Sequence, residues 1–414
     1  MSDPRRVVVT GIGPVTPVGI GVGDFWDGLT SGRNGVRTIS NFDASDLPVT
    51  VSGEVPGFDP RRWLDAKEVR RTDPFVHYAL AASSLAWEDA GDPEVVSERG
   101  GCIFATGIGG IQTLLAAHTI LLEKGPGRVS PFMVPMLMAN AAAGHVAMRY
   151  RLTGHNMATL SACASSNHAI GEGMRLIRDG YLDLCVVGGS EAATVRLTVS
   201  AFAQMTALTK NPDPETASRP FDAERNGFVL SEGAAALILE SEEHAAARGA
   251  RMYCEVAGYG ASDDAHHITA PDPKGSGATL AMRWALQEAG AEPSDVSYIN
   301  AHGTSTPLND AAETVAIKAA LGDDVAHGIA VSSTKSMTGH MLGAAGAVEG
   351  SVCALTIANG VVPPTIHYRT PDPDCDLDVV PNEARTMPVS LALSNSFGFG
   401  GQNACIAFRT LPAA

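Results

Sequence analysis

The chain has no Cys-x-x-Cys pair, no block of like charge, no low-complexity stretch and no linker, and it is short of cations. Its 29 lysines and arginines stand against 45 aspartates and glutamates, a formal charge of −16 that argues against general nucleic-acid binding. An acidic partner stays compatible through a local cluster of basic residues. The 7 cysteines form no regular framework, and most sit in apolar runs such as Leu184–Val187, where a buried free thiol is the ordinary state. Residues Met1 to Arg6 lack the long apolar region of a leader. The most apolar late run, Met341–Ala358, is interrupted by Glu349, so no membrane span is expected and the cytoplasm is the expected compartment. Two motifs are incomplete. Gly11-Ile12-Gly13 follows the first expected strand, but Thr16 holds the third glycine position of a dinucleotide fingerprint. His266-His267, close to Asp263-Asp264, has no second ligand cluster, so no metal site is expected.

What is present is a core-forming composition, 45% apolar with 44 glycines, suited to closely packed layers of helix and sheet. Short β-rich runs alternate with helical patterns, which predicts an α/β fold. Expected strands are Arg6–Val9, Cys102–Ala105, Leu184–Val187, Ala235–Leu239, Val296–Asn300, Ile329–Ser332 and Ala404–Phe408. Two segments share a plan though hardly any residues. One reads as a strand from Met157 to Ala162, a turn at Cys163 and a helix to Gly180; the other as a strand from Ile329 to Ser333, a turn and a helix from His340 to Gly360. This hints at a duplicated unit, residues 1–250 and 251–414.

Four segments carry candidate chemistry. Cys163, in Leu160-Ser161-Ala162-Cys163-Ala164-Ser165-Ser166, stands at a helix N-terminus among small residues; the dipole there lowers a thiol pKa and favours the nucleophilic thiolate, though a buried structural cysteine has the same local sequence. His302 lies in the polar loop Asn300-Ala301-His302-Gly303-Thr304-Ser305-Thr306 after an expected strand. His340 ends Ser332-Ser333-Thr334-Lys335-Ser336-Met337-Thr338-Gly339-His340. Glu349 is the one charged residue between His340 and Gly360; it faces solvent or, if buried, needs a cation, for which Lys335 is the natural candidate. The glycine-rich Asn395-Ser396-Phe397-Gly398-Phe399-Gly400-Gly401 is a hairpin turn or a nest of backbone N–H groups.

Taken together and in this order, the four segments resemble the Cys-His-His condensing enzymes, closest to the β-ketoacyl-acyl-carrier-protein synthases of type II. The resemblance implies a thiolase-like fold, five layers α-β-α-β-α built from two duplicated halves, and a homodimer, with a heterodimer with a chain-length partner as the alternative. It implies acyl transfer to Cys163, decarboxylation of malonyl-carrier protein and Claisen condensation in fatty acid synthesis; the alternative is a ketosynthase of a specialised polyketide or polyene pathway. By matched position, the N–H groups of Cys163 and Phe399 form an oxyanion hole, and His302 and His340 donate to the malonyl thioester. Lys335 pairs with Glu349 and Glu313. Thr304, Thr306 and Thr269 meet the phosphopantetheine arm, which belongs to the carrier protein, so no cofactor of the enzyme's own is expected. Ile108, Met133, Thr198 and Phe202 belong to the acyl pocket, with Met133 reaching the partner subunit's pocket; Phe399 gates it beside Gly400. Lys67, Arg70, Arg71 and Arg128 meet the acidic carrier protein. Ser166, Gln402, Arg196 and Thr198 depart from the usual pattern. Arg196 and Thr198 reshape the pocket if Arg196 points inward, and do nothing if it faces solvent.

Overall fold

The structure, a computed structural model, describes residues 5–412; Met1–Pro4 and Ala413–Ala414, the outer ends of the two expected halves, lie outside them. The first half runs β1 (Val7–Thr16), α1 (Pro74–Asp89), β2 (Gly100–Ala105), α2 (Ala141–Tyr150), β3 (Asn156–Met157), α3 (Ser165–Arg178), β4 (Leu184–Glu191) and β5 (Gly233–Ser241). The second repeats that order as β6 (Cys254–Asp263), α4 (Ser276–Ala289), β7 (Tyr298–Asn300), α5 (Pro307–Leu321), β8 (Ala330–Ser332), α6 (Ala345–Asn359), β9 (Leu391–Phe397) and β10 (Gln402–Arg409). The strands follow the order β3-β2-β4-β5-β1 and then β6-β10-β9-β7-β8, each half the mirror of the other in sequence order. β1 and β6 pair at Val8–Glu255 and Val9–Cys254, which joins the two sheets edge to edge.

The layers follow from which faces are apolar. α1 and α2 cover the outer face of the first sheet, and α4 with α5 that of the second. α3 and α6 touch one another and lie between the sheets. The expected five layers are therefore present. α6 is buried from Ala345 to Thr356 and apolar there apart from Glu349, Ser351 and Thr356; the segment Leu342–Asn359 is long enough for a membrane span but is 83% buried inside the fold, a core helix. Close approach of the layers depends on small residues. Gly11 and Gly13 of β1 lie beneath α1, where a Cβ would come within 2.2 Å of the Ala86 carbonyl oxygen and 2.0 Å of that of Ala82. Gly258 and Gly260 of β6 meet α4 in the same way, at 2.1 Å from Ala285 and 1.9 Å from Ala281. The Gly-x-Gly that fails as a nucleotide motif is thus a packing device, used once per half.

Two element expectations need correction. The strand expected over Met157–Ala162 is only Asn156–Met157, because the chain then turns into a loop that ends at Ala162 with φ 49°. The helix expected from His340 begins at Ala345, because Leu342 takes φ 46°, incompatible with a continuous α-helix. The glycines beyond both central helices, Gly180 and Gly360, take the left-handed conformation expected of them.

Gly13→Ala and Gly260→Ala should each destabilise by roughly 1–3 kcal/mol through overpacking. Gly23→Ala, in the exposed first turn of the helix Val22–Thr30 with nothing near its Cβ position, should change stability by no more than about 1 kcal/mol and in the opposite direction. Urea unfolding of the three variants makes the comparison.

Candidate active site

Cys163 sits in the turn from β3 to α3. Ser165 shapes that turn: its hydroxyl donates to the Ala162 carbonyl at 2.6 Å and accepts the Ser161 N–H at 2.8 Å. The sulfur lies 3.0 Å from His340 Nε2. Donor atoms of Cys163, His302 and His340 all fall within 4.8 Å of one another, although they come from three separate loops. The His302 and His340 rings meet edge to face at 5.3 Å, and Phe228 meets His340 edge to face at 5.2 Å. All three catalytic candidates are buried and line a cavity of about 610 Å³.

Each histidine is fixed through its backbone. The N–H groups of His302 and Gly303 donate to the two oxygens of Glu313 at 2.8 and 2.7 Å, and Asn395 donates to the same carboxylate at 3.2 Å. Lys335 Nζ donates to the His302 carbonyl at 2.7 Å and forms an ion pair with Glu349, both groups buried. The expected second pairing, Lys335 with Glu313, does not form: Glu313 is engaged by backbone N–H groups and the ammonium by His302 and Glu349. His340 is held from the first half, donating its N–H to Val229 at 2.8 Å and accepting that of Ser231 at 3.0 Å.

The site is charge-poor where chemistry occurs. Burial and the neighbouring Lys335 hold both histidines well below the usual imidazole range, so both are neutral near pH 7. Burial pushes the Cys163 thiol up to about 11, against the pull of Lys335 and the Phe399 N–H. Burial therefore opposes the lowering expected from the α3 dipole. A helix N-terminus offers at most about 2 kcal/mol, roughly one and a half pH units, too little to bring a thiolate to neutrality. A Cys-His-His group is also a donor set for a soft metal ion. However, metal-bound imidazoles almost always donate from their second nitrogen, and Nδ1 of His302 and of His340 has no partner among the described residues. The trio fits acyl transfer better than ion binding.

Ile108, Phe202, Thr269, Thr304, Thr306 and Phe399 line the cavity. Two expected pocket residues do not. Thr198 turns its hydroxyl to the carbonyls of Ala193 and Val195 inside its own turn. Gly400 is a left-handed turn residue whose N–H donates to Ile268 at 2.7 Å. Met133, expected in the partner subunit's pocket rather than its own, lies in the short helix Met133–Leu137 and does not line the cavity of its own chain. Arg196 faces solvent, pairs with Asp46 and donates to the Asp43 carbonyl at 2.8 Å, so the inward alternative is excluded. Lys67, Arg70, Arg71 and Arg128 are exposed; Arg71 stacks on Phe132 at 4.5 Å, four residues beyond Arg128. Sequence reasoning missed Phe228 and Leu342 in the cavity wall and the buried carboxylate Glu191 beside it. Glu191 carried the signal that singled out Glu349, a lone acid ending an apolar strand.

Two adjacent family models cover most of the chain, the N-terminal domain of beta-ketoacyl synthase over residues 4–245 and its C-terminal domain over 253–369. The chain belongs to the β-ketoacyl synthase family. It is 51% identical over 98% of both chains to a 3-oxoacyl-[acyl-carrier-protein] synthase 2 of Synechocystis, and 46% identical over the whole of both to one of Staphylococcus aureus. The fold matches the ishigamide ketosynthase/chain length factor (TM-score 0.92, 38% identity) over 99% of this chain and 100% of that one. It also matches a type II polyketide ketosynthase in complex with its acyl-carrier protein (TM-score 0.91, 36% identity), with the same coverage of both chains. The synthase is accordingly an acyltransferase that makes carbon–carbon bonds by condensation.

Lys335→Met should cost roughly 3–5 kcal/mol in urea unfolding, because it leaves Glu349 buried and unpaired. The variant's Glu349 pKa rises further above the unfolded value, so its deficit should be small near pH 4.5 and grow as pH climbs through 7.

Proposed function

We propose that the synthase elongates acyl chains of fatty acid synthesis by two carbons, with Cys163 as nucleophile and His302 and His340 as the decarboxylation pair. The observation that carries this reading is the 3.0 Å contact between Cys163 Sγ and His340 Nε2, with His302 facing both. Cys163 attacks the thioester carbonyl of an acyl-carrier protein, and its proton leaves with the pantetheine thiolate when the tetrahedral intermediate collapses. The tetrahedral oxyanion is met by the N–H groups of Cys163 and Phe399; the latter already points at the sulfur, and Gly398 packs so closely that a Cβ there would lie 3.1 Å from the Cys163 nitrogen.

Malonyl-carrier protein binds next. Neutral His302 and His340, each in its Nε2–H tautomer, donate to the malonyl thioester oxygen. The carboxylate leaves as carbon dioxide, and its bonding electrons become an enolate held by those two donors. The enolate carbon bonds to the acyl carbon, the oxyanion collapses, and Cys163 leaves as a thiolate that takes one proton from solvent. Lys335 does no proton transfer; it keeps His302 in register through its carbonyl. No resident cofactor is needed, since the arm that carries both thioesters belongs to the carrier protein.

Thr304 and Thr306, whose hydroxyls bond one another at 2.9 Å in the cavity wall, suit contact with the arm, as does Thr269. Ile108 and Phe202 suit the acyl chain, and Phe399 the gate. Lys67, Arg70, Arg71 and Arg128 supply the cationic surface that an acidic carrier protein requires. Large exposed apolar side chains concentrate between Leu114 and Leu160, among them Leu122, Val134, Met138 and Met148, a face suited to a second copy that Met133 would enter. The polyketide neighbours favour a second reading, a specialised ketosynthase paired with a chain-length partner. The sequence relatives, at 46–51% identity, favour fatty acid elongation; the compartment we assign to it is the cytoplasm.

Cys163→Ala should gain no acyl mass from acyl-carrier protein, read by intact-protein mass spectrometry. His302→Ala and His340→Ala should still be acylated, while carbon dioxide release from malonyl-carrier protein falls about 10²–10³-fold. Normal release in either histidine variant contradicts the assignment. Product profiling with malonyl-carrier protein and a ladder of acyl primers separates the two pathways.

A further inference from the structure

Glu191 ends β4 fully buried, and it takes no part in the chemistry above. Its carboxylate accepts four hydrogen bonds from two different halves of the molecule. Gly107 N–H donates at 2.7 Å, Ile108 N–H at 3.2 Å and the Thr106 hydroxyl at 3.3 Å, all from the loop after β2. Gly343 N–H donates at 3.1 Å from the loop that follows His340. No cation pairs with Glu191 among the described residues. The two loops it joins touch without side chains between them: a Cβ on Gly343 would lie 2.1 Å from the Gly107 nitrogen.

What these loops carry into the cavity is the acyl wall. Gly107, Ile108 and Leu342 line it, and Ile108 and Leu342 pack in one apolar cluster with Phe202 and Phe228. Leu342 holds φ 46°, a conformation that a leucine keeps only when its surroundings enforce it. The hydrogen bond from Gly343, its neighbour, to Glu191 is part of that enforcement.

We propose that Glu191 is a positioning residue for acyl-chain recognition, a carboxylate clamp that sets the separation of Ile108 and Leu342 across the chain-binding end of the cavity. A long acyl chain reaches that wall, and a short one does not depend on it. The clamp therefore acts on binding of long primers more than on the bond-making steps at Cys163.

The inference rests on the acyl-transfer reading above. Acylation is measured for wild type and Glu191→Gln with butyryl- and dodecanoyl-carrier protein, alongside thermal unfolding. The variant keeps the shape but replaces an all-acceptor group with one that turns an amide N–H toward backbone donors. The dodecanoyl-over-butyryl ratio of kcat/KM should fall about tenfold, chiefly through KM for the long primer. In Glu191→Gln/Ile108→Ala the ratio should fall by less than the two single-variant effects combined, because both act on one wall; full additivity overturns the clamp. Equal losses with both primers, or an unchanged ratio, overturn the clamp. If Glu191→Gln does not fold, Thr106→Val removes one donor and is read in the same way: a smaller fall supports the clamp and an unchanged ratio overturns it. A wild type that takes no acyl group at all contradicts the function instead.

Discussion

A lysine and a glutamate sit at the centre of this molecule where water does not reach. Burying either alone costs several kcal/mol, and together they are tolerated because each neutralises the other in a fixed geometry. Lys335 meets this condition with Glu349 on one side and the His302 carbonyl on the other. Glu349 rides on α6, the helix packed between both sheets, whereas Lys335 and His302 come from loops at the ends of β8 and β7. The pair thus ties the central layer to the catalytic loops. Glu313 adds a second anchor, gripping the backbone of His302 and Gly303 from α5. His340 is clasped from the other half through Val229 and Ser231, and Cys163 arrives on α3. No half holds the site by itself. The duplication matters to function because it brings one strand-to-helix turn from each half to a shared centre.

Much of this was legible in the residues. Cys163, His302, Lys335 and His340 each stand in a polar or small-residue turn after a strand, and their order along the chain carried the family. Glu349 was conspicuous as a charge in an apolar run, and the cation it required was named correctly. The internal repeat was more legible than the strand–helix plan alone suggests. Val7-Val8-Val9-Thr10-Gly11-Ile12-Gly13 and Cys254-Glu255-Val256-Ala257-Gly258-Tyr259-Gly260 align without a gap, and the glycines do the same work against α1 and α4. Reading the first pair only as a failed nucleotide motif hid that signal.

What escaped the sequence depended on direction rather than identity. Thr198 and Arg196 sit beside the pocket in sequence, but a local hydroxyl bond turns one inward on its own turn and an ion pair draws the other into solvent. Gly400 belongs to the right loop and serves its backbone path instead of the wall. Glu313 was assigned to the right cluster but to the wrong partner, since two backbone N–H groups compete successfully with an ammonium. None of these outcomes is set by residue type or spacing. Each is decided by which acceptor lies nearest once the layers have packed.

The electrostatics also emerge only from packing. A cysteine before a helix invites the expectation of a thiolate, yet a water-poor site opposes every unpaired charge, and the thiol is raised to about 11 while both histidines are held neutral. Neutral imidazoles suit the decarboxylation step, because they donate to an oxygen that gains charge without bringing a cation that would bind the malonyl carboxylate and oppose its loss. They also mean that the sulfur loses its proton during attack rather than before it. The pH dependence of Cys163 alkylation by iodoacetamide tests this resting state most directly. The account predicts a rate that climbs through pH 8 to 10 without levelling, and a rate that reaches its plateau below pH 7 would reveal a preformed thiolate–imidazolium pair and contradict it.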